Sequence, residues 1–222
     1  MKNLLLTLFA TFLSLQAICQ LVSVSAGKLD ARLAPNDEYF HSMPYWHTEK
    51  TGWFSLKYDG MRDSAKYILE FRVKHKKGDF SVDTGSQAAS AGESIEYDFW
   101  RMDLEFRRKI RLFYPKFLFA EIGIFSGFMP HSKAVGNSHF YLPPPYNINE
   151  YKEINGSAKK YVRNFDIGFS CVIGAQYMFN KYLGITSHVF LDQGLLKAWN
   201  GQICPSREWG AGIGLRLFLP QG

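Results

Sequence analysis

The residues best equipped for chemistry are charged side chains recurring at every second position. Lys66, Glu70, Arg72 and Lys74 alternate with Tyr67, Leu69, Phe71 and Val73, and Arg101, Asp103, Glu105, Arg107 and Lys109 alternate with Trp100, Met102, Leu104 and Phe106. Glu121, Asp166, Asp192 and Arg216 stand in the same kind of alternation further along the chain. A spacing of two puts such groups on one face of an extended strand. Seven of the thirteen are cations and six are anions, so the set nearly cancels. Charges withdrawn from bulk water must be paired. The chemistry expected of this set is therefore mutual neutralisation, an ion-paired plug rather than a reaction centre.

Other arrangements compete with that reading. His188 shares a phase with Ser170 and with Glu121 or Asp166, a Ser/His/carboxylate set that would suit a lipid-acting esterase, with Ser170 as nucleophile and His188 as base. The His followed closely by Ser-Asn-Ala that such a deacylase would show is absent, and so are Gly-x-Ser-x-Gly and His-Glu-x-x-His. The glycines of Gly210-Ala211-Gly212-Ile213-Gly214 imitate a phosphate loop, but no helix follows, and on a strand they read as room for bulky neighbours. His41, His47, His75, His131, His139 and His188 have no metal-ligand spacing. We expect no catalytic, cofactor or metal residues.

The elements that must position these charges have period two. In residues 162–179 the odd positions Phe165, Ile167, Phe169, Cys171, Ile173, Ala175, Tyr177 and Phe179 are apolar. The even ones from Asn164 onward are polar or small apart from Val172 and Met178, as a two-faced strand requires. The pattern recurs over residues 66–74, 100–109, 118–125, 183–192 and 209–217, and weaker segments at 21–33 and 52–58 bring the count to eight. The first of these changes phase near Ala26-Gly27, which predicts a bulge. Short turns at 58–64, 113–116 and 180–182 alternate with long connections at 34–51, 76–94, 129–160 and 197–207. Short turns at one end and long loops at the other, with an even strand number, predict an all-β, eight-stranded antiparallel up-and-down transmembrane β-barrel with its charges inside. The competing arrangement is a soluble periplasmic ligand-binding barrel with the same charges outside.

Composition agrees with a barrel in lipid. The 222 residues are 46% hydrophobic, 16% aromatic and 21% charged, with a mean hydropathy of −0.17. A bundle of membrane helices would be far more apolar, and a disordered chain far less aromatic. Met1-Lys2-Asn3, an apolar run to Leu15 and Gln16-Ala17-Ile18-Cys19 describe a signal peptide over residues 1–19, cut near Cys19/Gln20, leaving residues 20–222 as one outer-membrane domain. Ile18 and Gln16 argue against a lipidated Cys19. The net charge of +6, one less without Lys2, is too mild to suggest nucleic acid. Cys171 and Cys204, one in a strand and one in a loop, read as unpaired thiols.

Aromatics near the proposed strand ends, Trp53, Tyr58, Tyr67, Trp100, Phe113, Tyr114, Phe128, Tyr161, Tyr177, Phe179, Tyr182 and Trp209, suit the two girdles of a membrane barrel. Arg108 falls on the lipid face, near enough to a turn for its stem to snorkel. The connection 129–160, with Pro143-Pro144-Pro145-Tyr146, Phe140, Tyr141 and Tyr151, is the candidate for partner binding.

Phe165-Asp166-Ile167-Gly168 through Gly174-Ala175-Gln176-Tyr177-Met178-Phe179, then Leu183-Gly184-Ile185 and Asp192-Gln193-Gly194-Leu195, resemble the PorT-like outer-membrane β-barrel family, as does Phe119-Ala120-Glu121-Ile122-Gly123. The resemblance spans about residues 96–219. It implies an eight-stranded outer-membrane barrel, with some members serving secretion machinery, and it carries over no catalytic residues. One departure is the tail Leu219-Pro220-Gln221-Gly222 beyond Phe218. The partners expected are outer-membrane lipid and, through the long outer loops, envelope or secretion proteins. The function expected is that of a structural or interaction component of the cell envelope.

Overall fold

The structure, a computed structural model, describes residues 21–32, 45–59, 67–86, 89–110, 117–160, 163–197 and 205–218. Alternation becomes ten strands: β1 (Leu21–Arg32), β2 (Tyr45–Thr48), β3 (Thr51–Asp59), β4 (Tyr67–Ser86), β5 (Ala89–Ile110), β6 (Leu118–Leu142), β7 (Ile148–Gly156), β8 (Phe165–Met178), β9 (Leu183–Lys197) and β10 (Pro205–Phe218). Eight of them close a ring in which β1, β3, β4, β5, β6, β8, β9 and β10 each pair antiparallel with the next, and β10 returns to β1. The chain is an all-β, closed eight-stranded antiparallel barrel. Closure leaves the ring without an unpaired edge.

The two ends of the barrel differ. Leu21 pairs with Phe218 at the end where β3 meets β4, β5 meets β6 and β8 meets β9. At the other end β4, β5 and β6 run on for 20, 22 and 25 residues, against 14 in β8 and β10. Segments expected as loops, 76–94 and most of 129–160, are therefore strand: β4 and β5 stay paired to Ser86↔Ala89, and β6 returns as β7. The turn between β6 and β7 is closed by Tyr146 N–H and Asn147 N–H on the Pro143 carbonyl, at 3.1 and 3.4 Å. With β2 against β4, these strands form a sheet extension beyond the ring. Along β7, where both faces are exposed, alternation fades although main-chain pairing continues.

Two further expectations change. No bulge interrupts β1, which pairs in unbroken register with β10 and β3 through Ala26 and Gly27. Its inward residues include Ser23, Ser25 and Leu29, and this mixture of small polar and apolar groups imitates a phase change. Register shifts lie instead between β9 and β10, at Pro205/Arg207, and between β5 and β6, where Trp100 pairs with His131 and Met102 with Phe128, so that Met129-Pro130 oppose Arg101. Proline has no N–H for the ladder, and a bulge is one of the few interior positions it tolerates. Beyond it β6 changes phase, with Phe125 and Met129 buried on one side of the bulge and Ala134 on the other.

Burial decides which face is which. Outward residues such as Leu104, Ile122, Ile124, Phe169, Ile173, Ile213 and Leu215 are exposed, Ile213 to 65%, whereas inward Glu70, Arg72, Lys74, Asp103, Glu105 and Glu121 are at most 1% exposed. This is the inverse of a soluble barrel. Tyr67, Trp100, Phe128, Tyr177, Phe179, Tyr182 and Trp209 are exposed as girdle residues should be. Trp53 and Tyr58 are buried instead. Trp53 shares the inward register of Ser55 and Lys57, donates from Nε1 to the Lys28 carbonyl at 3.1 Å, and meets Phe190 edge-on at 5.2 Å. With Leu29, Phe119, Val172 and Phe190 it forms an apolar layer inside the barrel. Cys171 is a free thiol on the outward face of β8, and Arg108 is exposed on that of β5. The leader expected at residues 1–19, Lys66, Phe113, Tyr114, Tyr161 and Cys204 lie outside the described residues.

Candidate functional site: the charged lumen

Every second residue of a barrel strand points inward, so eight strands deliver their charges to one narrow space. At the turn end Asp59 Oδ2 lies 3.0 Å from Arg216 Nη2 and 3.7 Å from Lys109 Nζ. Gln176 Oε1 accepts from the same two cations, at 3.3 Å from Lys109. One layer up, Lys57 pairs with Glu121, whose other oxygen is 3.3 Å from Arg107 Nε. Arg107 also pairs with Glu70, and its Nη1 lies 2.6 Å from Glu105.

Arg72 holds the middle. Its Nη1 lies 2.8 Å from Glu105 and 2.9 Å from Asp192, and its Nη2 is 3.2 Å from Glu70. Its guanidinium also stacks 3.8 Å from the Phe190 ring centre, joining the charged network to the apolar layer. Above it Lys74 Nζ is shared among Asp192 at 2.5 Å, Asp103 at 2.6 Å and Glu208 at 3.0 Å. The upper end is closed by Arg101, which lies 2.6 Å from Asp103, 2.9 Å from Glu208 and 3.4 Å from Asp166, and by Lys76 on Glu208. Ser206 Oγ donates to Asp166 at 2.7 Å.

All twelve described members of the expected set face inward: Glu70, Arg72, Lys74, Arg101, Asp103, Glu105, Arg107, Lys109, Glu121, Asp166, Asp192 and Arg216. The structure adds Lys57, Asp59, Lys76 and Glu208. Lys57, Arg72, Lys74, Lys76, Arg101, Arg107, Lys109 and Arg216 then face Asp59, Glu70, Asp103, Glu105, Glu121, Asp166, Asp192 and Glu208, eight of each sign. Glu208 was within reach of the sequence, because it continues the inward phase of Gly210, Gly212 and Arg216 by one more step.

Small residues make the room. A Cβ on Gly127 would collide with Asp103 Oδ1 and come 2.6 Å from Arg101 Nε. On Gly210 it would meet the Phe190 ring at 2.5 Å, and on Gly212 the Trp53 ring at 2.5 Å. The glycines of β10 are thus spaces for lumen neighbours.

The structure separates the Ser/His pair. Ser170 sits opposite Asp192, while His188 sits opposite Gly174, four residues away along β8, or roughly 13 Å at strand spacing. Ser170 donates to Glu105 Oε2 at 3.1 Å, and His188 lies against the Trp53 ring at 5.3 Å. Asp103, Glu105 and Asp192 bring one oxygen each within 4.8 Å of one another, close enough for a metal. Lys74 and Arg72 already supply the positive charge between them.

No known protein family and no curated protein matches this chain. Among solved structures it is similar to Neisserial surface protein A, at 10% identity and a TM-score of 0.45 over 90% of this chain and 96% of that one. It is also similar to Ail, the attachment invasion locus protein of Yersinia pestis, at 13% identity and a TM-score of 0.41 over 89% and 98%. The outer membrane protein OprG of Pseudomonas aeruginosa shares 10% identity at a TM-score of 0.38 over 90% and 97%.

Proposed function

We propose that this chain is a PorT-like outer-membrane barrel with a filled lumen, acting as a structural or interaction component of the cell envelope and serving a secretion or assembly partner. The observation that carries the reading is the inversion of the barrel, with apolar side chains outside and, among the described residues, eight cations paired with eight anions within. Such a surface is satisfied by lipid, and such an interior leaves no charge to select a permeant ion. The PorT-like stretches lie on β6, β8 and β9, which supply Glu121, Asp166 and Asp192 to the network. The sheet extension, held by main-chain pairing on the side away from the turns, is the surface offered to a partner.

The test begins with fractionation. The protein should sediment with outer membrane and shift on a gel only after boiling; recovery in the soluble periplasm would reverse the reading. In planar bilayers it should give no stable channel. Replacing residues 134–156 by a short Gly-Ser linker should leave the gel shift intact and abolish co-purification of envelope proteins. Unchanged co-purification would remove the extension from the mechanism.

A further inference from the structure

The outward face of β4, β5 and β6 continues without a break from the apolar belt into the extension. Just past Phe128 a cross-strand row runs His75, Trp100, His131, and the next row runs Lys77, Asp98, Lys133. Trp100 is 41% exposed and stacks on His75 at 4.7 Å, an amphipathic ring at the rim of the belt, where water and lipid meet. In this sector the strands cross the headgroup layer still paired, so the groups at that level are fixed in position.

Charge on these rows is unevenly satisfied. Asp98, directly across from Lys133, is hydrogen-bonded to His75 Nε2 at 2.9 Å, and Lys77 is paired with Glu49 at 3.0 Å. His131 and Lys133 are exposed and, among the described residues, have no ion-pair or hydrogen-bond partner. The nearest remaining carboxylates, Asp79 and Glu96, face each other on the row beyond, farther from the belt. The bulge at Met129-Pro130 is what turns His131 and Lys133 outward. Without the extra residue β6 would keep its lower phase, and Ser132 and Ala134 would take the outward places.

We propose that His131 and Lys133, beside Trp100, bind the phosphate of an outer-leaflet lipid headgroup and anchor this side of the barrel. The occupant follows from continuity: the row borders the belt that lipid covers, and the groups left unpaired there are basic. A lysine at an anionic membrane surface gains about fivefold in affinity, and the His131 ring adds a hydrogen-bond donor to the same phosphate. The proposal rests on the outer-membrane reading above, and fractionation tests that reading separately.

The experiment is native mass spectrometry of the full chain, released from detergent micelles with added bis-phosphorylated lipid A, dephosphorylated lipid A or inorganic phosphate. The wild type should retain the phosphorylated lipid about fivefold or more over the dephosphorylated one, and an equal concentration of inorganic phosphate should not displace it. A His131→Ala, Lys133→Glu variant that still shows the heat-dependent gel shift should lose that preference, and Lys133→Gln should lose part of it. Equal preference in wild type and double variant would overturn the proposal. So would displacement by inorganic phosphate, which would mark a general anion site rather than a lipid anchor. If the double variant does not fold, Lys133→Gln decides alone.

Discussion

The same three strands, β4, β5 and β6, build two regions with opposite rules. Inside the ring Arg72, Lys74, Asp103 and Glu105 are essentially without solvent contact, and each is held by several partners of opposite sign. In the extension β7 pairs with β6, and its described side chains are exposed or half-exposed along its whole length. Both regions are rich in polar residues, so polarity does not distinguish them. Access to water does. Where water is excluded, a charge is tolerated only as part of a closed set. Where water is present, as along β7, charges need no partners and main-chain pairing keeps the order. The lumen should therefore be costly to alter and β7 cheap.

The largest expected effect is at Arg72. Arg72→Met leaves Glu70, Glu105 and Asp192 each short of a cation and should cost about 3–5 kcal/mol, the usual range for breaking a buried ion pair. Urea unfolding in detergent micelles, followed by the folded fraction on an unboiled gel, measures it. The comparison sharpens if Glu105→Leu is added. Asp192 still has Lys74, and Glu70 and Glu105 still share Arg107, so removing one carboxylate from a set now short of a cation should recover about 0.5–3 kcal/mol as a coupling term. A purely additive double variant would mean that the network is a set of independent pairs.

Next in size is Gly127→Ala. A single methyl group would enter the Arg101–Asp103 pair, and overpacking of this kind costs about 1–3 kcal/mol. The same unfolding measurement applies. A loss near zero would show that the upper lumen can yield, and the contrast between the two regions would weaken there.

The sequence disclosed the two regions unequally, for the same physical reason. Period-two alternation is a record of two different solvents on the two faces of a strand, so it was plain in β5 at Arg101, Asp103, Glu105 and Arg107. It named the lumen charges of the strongly alternating strands, but not Lys57, which stands between Leu56 and Tyr58 in a short segment of weak alternation. It missed Lys76, because Lys74-His75-Lys76-Lys77 is polar on both faces where the strand leaves the belt. It missed Asp59, because Asp-Gly reads as a turn although Asp59 is the last paired residue of β3. Trp53 was assigned to a girdle on residue type, and only the inward register of Ser55 and Lys57 corrects that. In the extension β7 gives no signal because its side chains are exposed on both faces, whereas Ile95, Tyr97 and Phe99 of β5 alternate with Glu96 and Asp98 and are buried, a strand signal within reach of the sequence. The pairing of particular charges, such as Arg72 with Asp192 on the opposite side of the ring, depends on closure and has no local signature.

The smallest expected effect completes the contrast. Tyr151 lies on β7 opposite His139 and is 66% exposed. Its truncation to Ala removes one cross-strand contact, creates no cavity and strands no charge, so the change in global stability should stay within about 0.5 kcal/mol. Local opening should respond instead. Amides of β6 beyond Ala134 and of β7 should exchange faster in the variant, while those of β8 and β9 keep the protection of the ring. A fall in the global unfolding midpoint comparable with that of Gly127→Ala would mean that the extension and the lumen form one cooperative unit. The division between a fixed interior and an adaptable outer sheet would then have to be abandoned.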